Sequence, residues 1–305
     1  MGGDEGQELP RVGYLGPAGT FSEEALQASA VPGSLQPVAI TTIYDTVSAV
    51  REGEVRWAVV PIENSLDGSV TVTLDLLADE RGGLEIVGEA LLAVRHSLIA
   101  CEPVAIGEID TVISHPQVPG QCTRLLRGEL AHAQVLPASS TAEAVRTVST
   151  AGVRGQAALG TRLAADIYGG TVIRAGVQDR DDNVTRFVWL ARAPANQASE
   201  AGQRTGPDPP PLVAHGEGGW KTSVVFWGPG ADSPGWLVTC LNEFARRSIN
   251  LTKIESRPRR ATLGHYMFFV DLQGSVAERA VADAIEGLRA VCEHVRVLGS
   301  YLAAA

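Results

Sequence analysis

The feature that most constrains the fold is a short unit that occurs twice, in which a helix, a glycine turn, a buried strand, a polar turn and a second helix follow one another. The first copy has a helix over 46–53 and a strand at 57–61, and the second has a helix over 142–148 and a strand at 156–160. This alternation favours sheets that are covered by helices. It predicts an α/β fold with two similar lobes and a cleft between them.

Polar turns follow the first and third predicted strands, at 16–22 and 63–69. Ligands of open α/β sheets bind at the carboxyl ends of the strands, so both turns are expected to border one cleft. The first turn is rich in glycine and leads into a helix from about residue 23. It therefore brings backbone N–H groups to a helix N-terminus, which favours anions. Thr20 or Ser22 is expected to cap this helix.

The stretch 178–190 is the centre of the predicted site. Its second half is apolar and aromatic and predicts a buried strand, whereas its first half places three aspartates, an arginine, an asparagine and Thr185 at the entrance of that strand. A core strand holds such side chains rigidly. The alternative is a loop that feeds a strand, with solvated aspartates and a threonine chosen for β-propensity. In a two-lobe fold, 84–99 crosses into the second lobe and this strand returns to the first.

Residues 193–219 are rich in proline, glycine and small polar residues and predict a semi-rigid linker. After it, strands and helices are predicted in the order βαββαβ, which forms a small ferredoxin-like sandwich. The helix near Pro234 has apolar residues at Leu237, Leu241 and Phe244, the spacing of one helical face. So small a unit buries little apolar area alone, so we expect it to pair with a second copy.

The net charge of the 305-residue chain is −10, and the absence of a basic run argues against a nucleic-acid partner. An anionic substrate would need local donors, because the overall field repels it. No apolar run reaches the length of a membrane span, and the acidic N-terminus differs from a signal peptide. These features predict a cytoplasmic protein without a membrane partner.

The cysteines and histidines show no pattern that is typical of a metal site. The four cysteines form no CxxC pair and are interpreted as scattered small hydrophobic residues of a reducing compartment. Their positions are Cys101, Cys122, Cys240 and Cys292. His115 lies in a suggestive turn, and the other five histidines, His96 among them, are expected to lie at the surface or pack against strands.

Five short motifs occur along the chain. They are Gly16–Pro17 with Gly19–Thr20–Phe21, Pro61–Ile62–Glu63–Asn64–Ser65, Ser114–His115–Pro116–Gln117, Thr185–Arg186–Phe187 and Glu255–Ser256–Arg257–Pro258. With these motifs in this order, the chain resembles the prephenate dehydratase family over nearly all of 12–301. Enzymes of that family convert prephenate to phenylpyruvate in phenylalanine biosynthesis.

The resemblance implies a catalytic domain over 11–192 with two lobes like those of periplasmic binding proteins, a linker over 193–219, and a ferredoxin-like ACT regulatory domain over 220–305. It also implies that the enzyme needs no metal or cofactor, and that phenylalanine inhibits it by binding at the interface between ACT domains. Family members are homo-oligomers, so a dimer or tetramer through the ACT domains is expected.

The resemblance also assigns site residues. The catalytic residues are expected to be Thr185, Arg186, Glu63 and Asn64. The substrate-binding residues are expected to be Gly19, Thr20, Phe21, Ser65, Ser114, Gln117, Ser140, Thr141, Asn183 and Phe187. The phenylalanine-binding residues are expected to be Asp232, Gly235, Trp236, Leu237, Asn250, Leu251, Glu255, Ser256 and Arg257.

The reaction expels CO₂ and hydroxide, and the hydroxyl leaves poorly unless a donor assists it. We expect Thr185 to be that donor, as a preorganised hydrogen bond in a dry cleft. Arg186 or the backbone of 16–20 would hold the carboxylate that stays, while the departing one needs an apolar wall. Glu63 could relay a proton or orient Asn64, and His115 could be catalytic or only cap a helix.

Two departures from the family pattern matter. The regulatory loop of the family usually has alanine where this chain has Trp236, so effector affinity or preference could differ. About ten residues precede the first strand, so the chorismate mutase domain that some relatives carry is not expected. The alternatives are arogenate dehydratase, which the motifs do not separate from prephenate dehydratase, and a non-catalytic amino-acid sensor. The joint presence of Thr185, Arg186, Glu63 and Asn64 argues against the sensor.

Overall fold

The structure is a computed structural model, and it describes residues 8–194, 209–213, 218–229, 233–259 and 264–304. The strands of the first range are β1 (Arg11–Leu15), β2 (Gln36–Ile40), β3 (Trp57–Asn64), β4 (Gly68–Ser69), β5 (Leu84–Ala93), β6 (Ser97–Ala100), β7 (Thr111–Ser114), β8 (Gln134–Pro137), β9 (Gln156–Gly160), β10 (Thr171–Ala175) and β11 (Val184–Arg192). Its α-helices are α1 (Phe21–Ser29), α2 (Ile43–Glu52), α3 (Thr71–Ala78), α4 (Thr123–Arg127), α5 (Thr141–Ala151) and α6 (Arg162–Tyr168).

Two mixed sheets form two lobes, as the repeated unit predicts. The first sheet has the order β2-β1-β3-β11-β5, with β4 paired to the end of β3, and the second has the order β10-β6-β9-β7-β8. The chain crosses between the lobes from β5 to β6 and returns through β11, which lies antiparallel to both β3 and β5. The predicted central stretch is therefore an inner strand of the first lobe.

Strand β11 is buried on both faces, which explains its apolar and aromatic sequence. Val188 and Leu190 pack into one core cluster, while Phe187 and Trp189 pack into another on the opposite face. The indole N–H of Trp189 donates to Oγ of Ser29 at 3.0 Å, so its polar atom is satisfied. An inner strand with two covered faces gives the site at its start a rigid support.

The C-terminal unit has the predicted order of elements. These are β12 (Trp220–Trp227), α7 (Trp236–Ala245), β13 (Leu251–Pro258), β14 (Tyr266–Gln273), α8 (Arg279–Val291) and β15 (His294–Leu302). Their antiparallel sheet has the order β13-β14-β12-β15. Strand β13 includes the whole Glu255–Pro258 motif.

One face of the C-terminal sheet packs on its own helices, and the other packs on the first lobe. Val224 and Phe226 of β12 belong to the helix-side core, whereas Val225 and Trp227 share a cluster with Ile86 of β5. The first lobe thus covers the second apolar face of the unit. The contact is close enough that a Cβ at Gly299 would lie 2.1 Å from the carbonyl oxygen of Ile86.

Part of the predicted linker is ordered against the first lobe. The carbonyl of Pro211 accepts from the backbone N–H of Val31 at 2.9 Å, and the N–H of Val213 donates to the carbonyl of Ser29 at 2.8 Å. Residues 209–213 therefore pack on α1 and the turn after it, rather than acting as a free spacer.

The cysteines are less scattered than the sequence suggested. Sγ of Cys240 on α7 and Sγ of Cys292 after α8 are 3.6 Å apart, although 52 residues separate them in the chain. The other two, Cys101 and Cys122, are also free thiols. Among the helices of the described ranges, none is long and apolar enough to cross a membrane.

Candidate active site

A cleft of about 580 Å³ lies between the two lobes, at the carboxyl ends of β1 and β3 and the start of β11. Its volume is in the range of small-molecule sites. Most of the predicted catalytic and substrate-binding residues line it. They are Thr20, Phe21, Asn64, Gln117, Ser140, Thr141, Asn183, Thr185 and Phe187.

The pairing of β3 with β11 sorts the four predicted catalytic residues into two groups. Thr185 is opposite Asn64 and Arg186 is opposite Glu63. Successive side chains of a strand point to opposite faces, so the two members of each pair share a face. Thr185 and Asn64 line the cleft. Arg186 and Glu63 face the C-terminal unit instead.

Asn64 orients the hydroxyl of Thr185. Its side-chain Oδ1 accepts from the backbone N–H groups of Leu66 and Asp67 at 2.9 and 3.0 Å, so its Nδ2 must be the donor group. Nδ2 donates to Oγ1 of Thr185 at 2.9 Å and to Oδ1 of Asn183 at 2.8 Å. Because Thr185 Oγ1 accepts this bond, its own hydrogen is left for a ligand in the cleft.

The hydrogen bonds continue from Asn183 into the second lobe. Asn183 is 2% exposed, and its Nδ2 donates to Oε1 of Gln121 at 3.0 Å. Oε1 of Gln121 also lies 3.0 Å from Nε2 of His96. His96 and Gln121 both line the cleft. His96 was expected at the surface or against a strand, but only 1% of it is exposed.

Arg186 lies in a buried ionic cluster rather than in the cleft. Its Nε is 2.7 Å from Oε2 of Glu89, its Nη1 is 2.5 Å from Oδ2 of Asp271, and its Nη2 donates to Oη of Tyr301 at 2.8 Å. Burial alone would lower the pKa of the guanidinium, but Tyr301, Asp271 and Glu89 raise it above its usual value. In this arrangement Arg186 joins the first lobe to the C-terminal unit, which is a correction to its expected contact with a substrate carboxylate.

Besides Arg186 and Gly19, three predicted site residues lie outside the lining of the cleft. Glu63 is 3.2 Å from Nζ of Lys253 on β13. Oγ of Ser65 accepts from the N–H of Val184 and donates to the carbonyl of Asp182, so it holds the start of β11. Ser114 is buried, and its hydroxyl donates to the carbonyl of His115. These side chains support the cleft from behind.

Gly19 is predicted to bind substrate, and its position explains why it is glycine. Its φ of 85° is in the left-handed region, and an added Cβ would lie 2.8 Å from Ala164 of α6. Its carbonyl accepts from Oγ1 of Thr161 at 2.6 Å, which ties the turn of the first lobe to the second lobe. Thr20 does not cap α1 with its side chain, because its hydroxyl donates to the carbonyl of Leu15.

The N-termini of three helices border the cleft. The first residues of α1, α3 and α5 all line it, and among the described lining residues there is no lysine or arginine. Neither α1 nor α3 has a side-chain cap, so their first N–H groups lack this internal partner. Helix N-termini attract anions, so these helices can bind a carboxylate without Arg186.

His115 and Gln117 both line the cleft, and the backbone N–H of Gln117 lies 3.4 Å from Nδ1 of His115. Burial lowers the pKa of the His115 imidazole. In the described ranges, no group of three or more His, Cys, Asp or Glu side chains is arranged to hold a metal ion.

The predicted regulatory residues separate into three groups. Gly235, Trp236 and Leu237 line a second cavity of about 260 Å³. Glu255 and Arg257 face the first lobe, where they bond to Ser69 and Asp75. Asn250, Leu251 and Ser256 lie in neither place, and Asp232 is outside the described residues.

A family model described as prephenate dehydratase matches residues 12–195, which contain every residue of the cleft described above. The chain belongs to the prephenate dehydratase family. The prephenate dehydratase of Mycobacterium sp. strain KMS is 40% identical over 96% of this chain and 89% of its own length.

Two solved structures have the same fold as the present chain. The prephenate dehydratase of Arthrobacter aurescens in complex with L-Phe is 35% identical, with a TM-score of 0.79 over 96% of this chain and 90% of the other. GqqA, described as a quorum-quenching acylase, is 26% identical, with a TM-score of 0.81 over 96% of this chain and 98% of its own.

Two polar residues of the cleft that were not predicted as site residues are His96 and Gln121. Gln121 lies four residues beyond the Ser114–Gln117 motif, and a polar side chain there could have been a signal. His96 follows the apolar run of β5 and resembles a core histidine in sequence. Only the packing of separate elements brings it beside Gln121.

Proposed function

We propose that the chain converts prephenate to phenylpyruvate, CO₂ and water in phenylalanine biosynthesis. The observation that supports this most strongly is the bond from Asn64 Nδ2 to Thr185 Oγ1, because it leaves the threonine hydrogen free to assist a leaving hydroxyl. Loss of the C–C bond to the departing carboxylate supplies the electron pair that completes the aromatic ring. The C–O bond breaks as that pair enters the ring, and the hydroxyl leaves with the C–O electron pair, stabilised by the hydrogen bond from Thr185. The leaving hydroxide takes up one proton from solvent to become water.

The two carboxylates of prephenate need different surroundings. The carboxylate that stays would be held by the N–H groups at the starts of α1 and α3, which suits a chain whose net charge is −10. The departing carboxylate loses its charge as it becomes CO₂, so an apolar wall favours the product. Phe21, Val94 and Phe187 offer such a wall in the cleft.

L-Phenylalanine is proposed to regulate the enzyme through the C-terminal unit, which we interpret as an ACT domain. The cavity beside Trp236 also has Tyr266 and Phe268 in its wall, and these rings suit an aromatic effector. Trp236 is 8% exposed and its Nε1 donates to the carbonyl of Val291 at 2.7 Å, so the indole is part of the wall. The relative from Arthrobacter aurescens is described as a complex with L-Phe.

A path from that unit to the cleft is present in the contacts of Ser69. Its hydroxyl lies 3.1 Å from Oε2 of Glu255 and 3.0 Å from Nζ of Lys253, both on β13. Ser69 also lines the cleft. Movement of β13 on effector binding would therefore shift this wall of the cleft. The C-terminal unit also exposes the large apolar side chains of Val238, Ile254 and Tyr266, which suit contacts between ACT domains in a homo-oligomer. A cytoplasmic location stays a prediction from the sequence.

The contacts in the cleft favour a dehydratase over an acylase such as GqqA. An acylase with a serine nucleophile needs a base within hydrogen-bond reach of the hydroxyl. Among the described residues of the cleft, no serine is hydrogen-bonded to His96 or His115. Arogenate dehydratase differs from the proposed enzyme only in its substrate, and a direct comparison separates the two.

The test is phenylpyruvate formation from prephenate by the purified protein, with and without L-phenylalanine, and with arogenate as the comparison substrate. Prephenate turnover that falls with phenylalanine is expected. Thr185→Ala should lower kcat by about 10²–10⁴, whereas Thr185→Ser should retain part of it because the donor is kept. A folded Thr185→Ala variant with normal turnover would refute the donor role. Turnover of arogenate alone would assign the other substrate.

A further inference from the structure

The hydrogen bonds between His96 and Thr185 form a continuous chain whose direction is fixed. At one end, two backbone N–H groups require that Oδ1 of Asn64 be an acceptor. Asn64 therefore donates to Asn183 Oδ1, and Asn183 in turn donates to Gln121 Oε1. The carboxylate of Asp67 accepts from Gln121 Nε2 at 3.5 Å, which sets the same orientation of the Gln121 amide independently.

His96 must then be a donor at Nε2. Gln121 Oε1 has no hydrogen, so the imidazole can bond to it at 3.0 Å only if Nε2 carries the proton. The other tautomer would place two acceptors together and would leave a donor at Nδ1, which is buried without a partner in the described part of the chain. An unsatisfied buried donor is costly, so these hydrogen bonds select the neutral Nε2–H tautomer of His96. The edge of the ring is also packed against Phe21, with ring centroids 5.4 Å apart.

We propose that His96 is a positioning residue of the active site, which acts on Thr185 through Gln121, Asn183 and Asn64. Its Nε2–H adds a bond that holds Gln121 Oε1 in place. Gln121 Oε1 in turn holds Nδ2 of Asn183, whose Oδ1 accepts from Asn64 Nδ2. Asn64 can then donate to Thr185 Oγ1 and leave the threonine hydrogen for the substrate. This inference rests on the proposed dehydratase reaction. It adds a residue that touches no reacting atom.

Burial supports the neutral state of the ring. Desolvation lowers the pKa of the His96 imidazole below its ordinary value, and the bond to Gln121 opposes this only in part. The ring is therefore an uncharged donor near neutral pH, as the hydrogen bond to Gln121 Oε1 requires.

Two variants separate positioning from packing. His96→Gln places an amide N–H where Nε2 lies, while His96→Phe keeps a planar ring against Phe21 but removes the donor. We expect the phenylalanine variant to lose about tenfold or more in kcat with KM changed less than about twofold, and the glutamine variant to recover most of the loss. Urea unfolding midpoints establish that both variants are folded. Equal losses in both folded variants, or wild-type kcat in His96→Phe, would overturn the proposal.

A second measurement uses the unmodified protein. With ¹⁵N-labelled histidine, the NMR signals that vanish in His96→Gln belong to His96. They should show a protonated Nε2 and a bare Nδ1 near neutral pH, and a protonated Nδ1 with a bare Nε2 would overturn the proposal. This readout does not depend on turnover. A wild-type protein that fails to convert prephenate would therefore refute the dehydratase reaction without deciding the tautomer.

Discussion

At the scale of single residues, the orientation of the Asn64 amide determines whether the hydroxyl hydrogen of Thr185 is free for a ligand. The amide has an oxygen that binds two backbone N–H groups and a nitrogen that donates to two side-chain oxygens, so both of its ends are needed. Aspartate has the same shape but offers only acceptors when ionised.

Asn64→Asp is therefore expected to keep the turn at Leu66 and Asp67 while turning Thr185 away from the substrate. The threonine hydrogen would bond to the new carboxylate oxygen, and the loss of one oriented donor lowers kcat by about 10²–10³. Steady-state kinetics and the urea unfolding midpoint measure the two effects separately. Wild-type kcat in this variant would show that the amide of Asn64 does not orient the donor.

At the scale of elements, the N-terminus of α3 borders the cleft. Among the described lining residues there is no lysine or arginine. Val72 is 48% exposed there and lines the cleft. A negative charge in the first turn of a helix is compatible with helix stability but repels a bound anion.

Val72→Asp should raise KM for prephenate about tenfold, with a smaller change in kcat, because the new charge opposes the dianion at short range. Val72→Asn is the matched control, since it has the same shape without the charge. Added salt should reduce the difference between the two variants, because it screens partly exposed charges. Equal KM values in the two variants would place the carboxylate of the substrate away from α3.

The ionic contact between β11 and the C-terminal sheet is a second feature at the scale of elements. Glu89 and Asp271 both ion-pair with the guanidinium of Arg186, and the Glu89 side chain is fully buried. Removal of one member of such a cluster leaves unpaired buried charge, which is strongly destabilising.

Arg186→Met should lower the free energy of unfolding by about 3–5 kcal/mol, because it removes the cation that pairs with Asp271 and leaves Glu89 to Lys221. Arg180→Met is the control, since Arg180 pairs with Asp182 at the surface and its loss should change little. Urea unfolding compares the two. An Arg186→Met variant of unchanged stability that has lost prephenate turnover would show that Arg186 contacts the substrate instead.

At the scale of the whole molecule, buried histidines make stability depend on pH. Burial lowers the pKa values of His96, His115 and His294 below 6.5. The unfolded chain therefore binds more protons than the folded chain as the pH falls through that value. The stability that these groups contribute is fully present above about pH 6.5 and is lost as the pH falls towards the lowered folded pKa values.

The urea midpoint is thus expected to be lower at about pH 5.5 than at about pH 7.5. Glu24 acts in the opposite direction, because burial raises its pKa above 4.5 and it favours folding at lower pH. His294→Gln should make the midpoint less dependent on pH, since one of the three groups is gone. A midpoint that rises on acidification would mean that Glu24 and other carboxyl groups outweigh the histidines.

Much of the fold and part of the site could be predicted from the sequence alone. The alternation of buried strands and helices determined the α/β lobes, since periods of 2 and 3.6 residues are local properties. The return of β11 to the first lobe and the element order of the C-terminal unit followed from the same pattern. Thr185 was singled out because it lies at the entrance of a core strand and Asn64 because it lies in the polar turn after another. The resemblance to the family assigned both of them a catalytic role.

What only the tertiary structure decided is which element covers each face of those strands. The period of a strand shows that Thr185 and Arg186 point to opposite sides, but it does not show that the substrate cleft lies on one side and the C-terminal sheet on the other. Likewise, His96 is 25 residues from Gln121 and Cys240 is 52 from Cys292, so neither contact leaves a local signal. Such contacts depend on how separate elements pack, and a sequence determines packing only through the whole chain at once.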